Sequence, residues 1–80
     1  MLYEMDNVFA IAKKKAKSQL EKRGYTDEPW NDFSNAFLVS RLFDEIKEFE
    51  NTKNIKSENE ELLDIINTAI FVYLSNEKEM

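Results

Sequence analysis

The sequence predicts an all-α chain, and three observations carry that prediction. The 80 residues include one glycine and one proline, Gly24 and Pro29, and both fall in a single short segment. On either side of it, apolar residues recur at spacings of three and four, the period of one helix face. Each apolar stretch is bounded by residues that start or stop helices. The expected architecture is one domain, residues 1–80, of three helices that complete a four-helix-type bundle core by dimerisation, as a dimer or a tetramer.

The first helix is expected to start at an Asp6 or Asn7 cap and run to about Arg23. Val8, Phe9, Ala12, Ala16 and Leu20 form its apolar stripe, and its other faces carry Lys13, Lys14, Lys15, Lys17 and Lys22. Gly24 suits its end because glycine readily takes the left-handed conformation that closes many helices. Residues 24–31, GYTDEPWN, read as a turn-rich connection. The second helix begins near Asp32 or Ser34 and continues to about Glu50, with Phe33, Phe37, Leu38, Leu42, Ile46 and Phe49 at helical spacing. Residues 51–57, NTKNIKS, read as a polar loop ending in a capping box, Ser57 with Glu60 three residues on. The third helix runs from there to about Ser75. It is apolar around most of its circumference, through Leu62, Leu63, Ile65, Ile66, Ile70, Val72, Tyr73 and Leu74. Such a helix must be buried on several sides, and the extra partners are expected from a second subunit.

Composition narrows the possible functions. A chain of this size buries only roughly 60% of the surface its unfolded form exposes, which again points to oligomerisation. The absence of cysteine and histidine excludes disulfides, thiolate and imidazole metal sites, and Ser-His or Cys-His nucleophiles. A net charge of −5 and a pI near 4.7 argue against nucleic acid as the main partner, because phosphate-backbone binding rests on a basic footprint. The first residues, Met1-Leu2-Tyr3-Glu4-Met5-Asp6, are acidic where a signal peptide is basic. The most apolar stretch, Leu62 to Leu74, is 13 residues long and interrupted by Asp64 and Asn67, too short and too polar to span a bilayer. A soluble, cytoplasmic protein is expected.

The functional clue is four acids in two pairs: Glu45-x-x-Glu48, twelve residues, then Glu61-x-x-Asp64. Residues three apart share a helix face, so a hairpin of the second and third helices could aim all four carboxylates at one point. A solvated acidic face is the plainer reading of any one such pair. Against it, an exposed acid usually has a cation three or four residues away, and Glu48, Glu61 and Asp64 have none; only Glu45 does, from Arg41. The helix dipole accounts for acids in the first turn, but its influence fades before Asp64. Asp64 also lies between Leu63 and Ile65 in the least polar helix, and buried charges are normally paired or bound to metal. Two carboxylates about 5 Å apart repel by roughly 3 kcal/mol at an effective dielectric near 20, which calls for a counterion. All-oxygen, carboxylate-rich sites suit hard cations such as Mg²⁺ or Mn²⁺, and Mg²⁺ commonly works with substrate phosphates.

The double acid motif, with RLFDEIKEFE (41–50) and ENEELLDIINTAIFVYL (58–74) around it, resembles the MazG-like all-α nucleoside triphosphate pyrophosphohydrolases. The similarity extends over about residues 20–75, including the segment KRGYTDEPW (22–30). It implies that Glu45, Glu48, Glu61 and Asp64 hold Mg²⁺ (or Mn²⁺) against a triphosphate. Water attack would then release a nucleoside monophosphate and pyrophosphate, a housecleaning activity on non-standard or surplus nucleotides. It implies a catalytic role for Glu45 and Glu48, one glutamate serving as general base. Asn67, three residues after Asp64 on the same face, is then a candidate for substrate contact, or equally a core asparagine bonded to another helix. The chain ends soon after its third helix, where longer members add another, so the pocket is expected to need a partner subunit. A phosphoribosyl-ATP pyrophosphohydrolase and a non-catalytic helical interaction module that keeps the acids are the alternatives.

Weaker candidates for substrate contact are Trp30, which could stack on a base or plug a helix junction beside Pro29, and Lys53 and Lys56, which with the lysines of the first helix could hold phosphate oxygens as point charges. Arg41 is placed to pair with Glu45 or Asp44.

Overall fold

Two side-chain caps and one glycine set the boundaries of the long helices. In the computed structural model, which describes residues 2–24 and 28–79, α1 runs Leu2–Arg23, α2 Pro29–Asp32, α3 Asn35–Glu50 and α4 Ile55–Lys78. Gly24 follows α1 with a φ of +71°, the left-handed region that glycine enters without strain. Ser34 caps α3 by accepting the Phe37 N–H at 3.1 Å. Asn54 caps α4 by accepting the Ser57 N–H at 2.8 Å. No strand occurs among the described residues, and the fold is all-helical.

The three expected long helices are present, with corrections at their ends. Helix α1 begins at Leu2 rather than at an Asp6 or Asn7 cap, since nothing in residues 2–5 interrupts a helix. Helix α4 starts three residues before the predicted Ser57 cap, because Asn54 takes the capping role and leaves Ser57 inside the first turn. It also runs past Ser75 to Lys78, its last turns held by Asn35, whose amide donates to Ser75 Oγ at 3.3 Å and to Asn76 Oδ1 at 2.6 Å, and by a bond from Lys78 to Asn31. The connection read as a turn contains α2, with Pro29 at its first position, where a missing N–H costs a helix nothing. Tyr25, Thr26 and Asp27, in the middle of that connection, lie outside the described residues.

Helix α4 is the axis of the fold. The other three helices all pack on it, α3 most extensively, and the short loop 51–54 makes α3 and α4 a helical hairpin. The core they enclose is thin: Ala12, Leu38 and Pro29 are buried together with the polar Glu45, Asn67, Thr68 and Ser75. The radius of gyration, 13.0 Å, exceeds the about 11.6 Å of a compact chain of this length. Two residues of the expected α1 stripe, Val8 and Phe9, are exposed, as is every residue from Leu2 to Ile11, although Phe9 lines the groove between α1 and α4 with Ile70 and Leu74. Phe37, Phe43, Leu62, Ile70 and Tyr73 are exposed on α3 and α4. No helix among the described residues is long and apolar enough to cross a membrane.

The two candidate starts of α4 are separable by mutation. Asn54→Ala is expected to lower the unfolding free energy by about 1 kcal/mol, the usual cost of a lost N-cap, while Ser57→Ala stays within about 0.5 kcal/mol of wild type. Urea unfolding followed by circular dichroism measures both.

Candidate functional site

The α3–α4 hairpin brings the two acid pairs together as two rungs. On the rung nearer the loop, the carboxyls of Glu48 and Glu61 lie close enough for Glu48 to raise the pKa of Glu61. On the next rung, Glu45 and Asp64 lie within electrostatic range of one another and line a common cleft. The like charges thus face each other across the hairpin as well as along each helix.

Glu45 is the most enclosed of the four, 4% exposed. The Thr68 hydroxyl lies beside its carboxylate and favours the charged form, and its Oε2 lies 3.8 Å from Arg41 Nε. Its Oε1 is buried with no partner. Burial raises the Glu45 pKa above the ordinary carboxylate value; Thr68 and Arg41 oppose that rise, and the charges of Asp64 and Glu48 add to it. Glu61 also has a buried oxygen, Oε2, without a partner. Its pKa is raised by burial, by the contact with Glu48 and by the charges of Glu48 and Asp64, against the influence of Lys15. Glu48 is exposed.

Asp64 does have a cation, supplied from a distant part of the chain. Lys15 on α1 sets its Nζ 3.0 Å from Asp64 Oδ1 and 3.0 Å from Glu60 Oε2, and donates to the Glu60 carbonyl at 2.8 Å. Burial works against the ammonium, but its bonds to Glu60 and Asp64 outweigh that and push its pKa above the ordinary lysine value. Gln19, one turn on, donates to Asp64 Oδ1 at 3.4 Å. The missing local cation, which the sequence presents as a reason for a metal at Asp64, is therefore partly answered by α1. Burial likewise falls most heavily on Glu45, not on Asp64, whose side chain is 17% exposed.

The four acids do not converge on one point. Among the described residues, no group of three acidic side chains stands ready to enclose a metal ion. What the hairpin provides is an all-oxygen donor set with two orphaned buried oxygens, on facing helices. That set suits a hard divalent cation better than any other ligand of its size.

The cleft holding Glu45 and Asp64 has a volume of about 120 Å³ and is closed on other sides by Arg41, Phe33, Phe37 and Phe71. Phe33 and Phe37 stack with ring centroids 4.7 Å apart. Trp30 is not in this wall. It packs against Phe71 at 6.0 Å and lines a separate apolar groove between α1 and α4, as a junction plug does. Asn67 donates its amide to the Ala12 carbonyl at 2.9 Å, a buried tie between α4 and α1, while lining the cleft. Lys53 and Lys56 are exposed near the hairpin loop and do not line the cleft.

No family model matches the chain, and no solved structure matches it. An uncharacterized protein of Archaeoglobus fulgidus is 34% identical over 62 residues, covering 74% of this chain and 67% of that protein. The chain belongs to the same family as that archaeal protein.

The raised carboxyl pKa values have a signed consequence for stability. The folded chain holds protons on Glu45 and Glu61 to higher pH than the unfolded chain, whose glutamates titrate near about 4.3. Stability therefore falls as pH climbs from that value through the raised ones. Glu45→Gln removes the charge and with it the cost of burying an ionised carboxylate, while leaving a polar amide in the same place. In metal-free buffer at pH 7 it is expected to melt above wild type, by about 4–8 °C for each kcal/mol recovered, with a flatter pH dependence. Melting curves between pH 4 and 8, read by circular dichroism, check this.

Proposed function

We propose that the chain is a Mg²⁺-dependent nucleoside triphosphate pyrophosphohydrolase of the MazG-like all-α kind, acting in the cytoplasm on non-standard or surplus nucleotides, with Mn²⁺ able to replace Mg²⁺. One observation carries the reading: two buried carboxylate oxygens without partners, Glu45 Oε1 and Glu61 Oε2, within four acids on facing helices. An acidic patch meant only for solubility has no reason to bury its oxygens or to raise its own pKa values.

Glu45, Glu48, Glu61 and Asp64 are the residues that would hold the metal. A divalent ion there supplies positive charge against the phosphate oxygens. Glu45 is the best placed general base, because it faces the cleft and its raised pKa lets it take a proton from the attacking water. Water oxygen bonds to the α-phosphorus, the bond from that phosphorus to the bridging oxygen breaks, and pyrophosphate leaves with the bonding electrons. Arg41 offers a further positive charge at the cleft, and the Phe33–Phe37 stack offers an aromatic wall for a base.

A cleft of about 120 Å³ is smaller than the roughly 300–1,000 Å³ of small-molecule sites. A second copy of the chain, seated on the exposed apolar residues of α1 and α4, would supply the remaining wall as a dimer or tetramer. The Lys15–Asp64 pair and the lack of a converged ligand set favour a second reading, a helical interaction module that keeps the acids without turnover.

The deciding assay incubates the protein with a panel of nucleoside triphosphates and phosphoribosyl-ATP in Mg²⁺ or Mn²⁺ and measures monophosphate and pyrophosphate. Release is expected from at least one nucleotide and is expected to fall by about 100-fold or more in Glu45→Ala and in Asp64→Ala. No release from any nucleotide, or release unchanged in these variants, would overturn the enzymatic reading.

A further inference from the structure

We infer that Lys15 is a built-in counter-cation of the acid site, against which a divalent metal must compete at Asp64 in order to bind. The inference rests on the reading that these acids hold a metal, and it adds the residue that sets how tightly they do so.

The geometry is specific. Of the five lysines on α1, Lys15 shares a helix face with Ala12 and Gln19, and all three meet α4: Ala12 through Asn67, Gln19 through Asp64, and Lys15 through both Glu60 and Asp64. The bond to the Glu60 carbonyl fixes the ammonium by a backbone atom that no acid substitution removes. Its side chain is 21% exposed against 17% for Asp64, so the pair is shielded from much of the surrounding salt. A second observation, independent of the acids as a cluster, points to a missing cation on the neighbouring side. Glu45, 4% exposed, keeps Oε1 buried with no partner, although Arg41 stands 3.8 Å from its other oxygen. Lys15 therefore serves one end of the four-acid array, while at the other end Arg41 reaches Glu45 Oε2 and leaves Oε1 without a partner.

The two cations compete for the same oxygen. Asp64 Oδ1 already receives Lys15 and Gln19; a metal bound through that oxygen must share it with them or remove them, and one bound through Oδ2 still lies beside the ammonium. A fixed positive charge beside the ion also repels it directly. Lys15 thus lowers the affinity of the site for metal while stabilising the chain without metal. Its bond to Glu60 gives the ammonium a resting place when Asp64 turns to the metal.

The test uses the full chain and Mn²⁺ alone, with no nucleotide. Calorimetric titration measures Mn²⁺ affinity, and melting curves without and with the ion measure stability. Lys15→Met keeps most of the side-chain stem and loses the charge. It is expected to bind Mn²⁺ about tenfold or more tightly than wild type, within the 5–150-fold range of ordinary site couplings. It is also expected to melt lower than wild type without metal and to gain more from adding it. Lys15→Arg keeps the charge and is expected to stay near wild-type affinity. Lys15→Gln replaces Lys15→Met if the latter fails to fold. Binding by the uncharged variant that is no tighter than wild type would overturn the role of Lys15 and leave the metal site standing. Binding to none of the proteins would remove the metal site and the inference together.

Discussion

Four carboxylates held on two rungs of one helical hairpin are the constraint around which the chain is organised. Left alone, α3 and α4 would separate where Glu45 faces Asp64 and Glu48 faces Glu61. The hairpin keeps them together with neutral and cationic groups placed beside the acids: Thr68 and Arg41 at Glu45, Lys15 and Gln19 at Asp64. Helix α1 owes its position to the same problem. Its ties to α4 are an ammonium and two amide hydrogen bonds, with a single small apolar residue, Ala12, fully enclosed at the contact. Even so, two carboxylate oxygens stay buried without partners. Each such oxygen costs stability, as the proposed cation site would lead one to expect of a chain without its ion.

What the sequence made legible was local. Gly24 ends α1 and Ser34 caps α3 because each acts through its own backbone or the next turn, so residue type and position suffice. The spacing of the acids placed them on facing helices for the same reason: a three-residue interval fixes a face, and a short loop fixes a hairpin. The start of α4 was misread because Asn54 and Ser57 are both competent caps, and the choice depends on which backbone conformation the loop allows. Lys15 was hidden by distance. It meets residues 45 and 49 positions further on, and in the sequence it is one of a run of similar lysines. Its neighbours Ala12 and Gln19 on the same face carry the only hint. Trp30 went the other way: a residue type suited to stacking on bases is used against Phe71, and two phenylalanines expected in the core line the cleft.

The apolar surface follows from the same thin interior. With Glu45, Asn67, Thr68 and Ser75 occupying enclosed positions, the space between the helices is partly polar, and large side chains such as Phe9, Phe43, Ile70 and Tyr73 remain outside. The exposed ones on α1 all precede Ala12, the buried residue of that helix. This is the face on which a second copy would extend the bundle and deepen the cleft, joining the oligomerisation expected from chain length to the function expected from the acids.

The central claim is that these carboxylates form one specific cation site, not a generally acidic surface. Amide NMR of the uniformly ¹⁵N-labelled chain, titrated with substoichiometric Mn²⁺, tests it most directly, because paramagnetic broadening falls steeply with distance from the ion. The account predicts broadening centred on residues 45–48 and 61–64, reversed by excess Mg²⁺ and lost in Glu61→Gln. Broadening spread equally over Glu21, Glu77 and Glu79, or centred away from the hairpin, would contradict it.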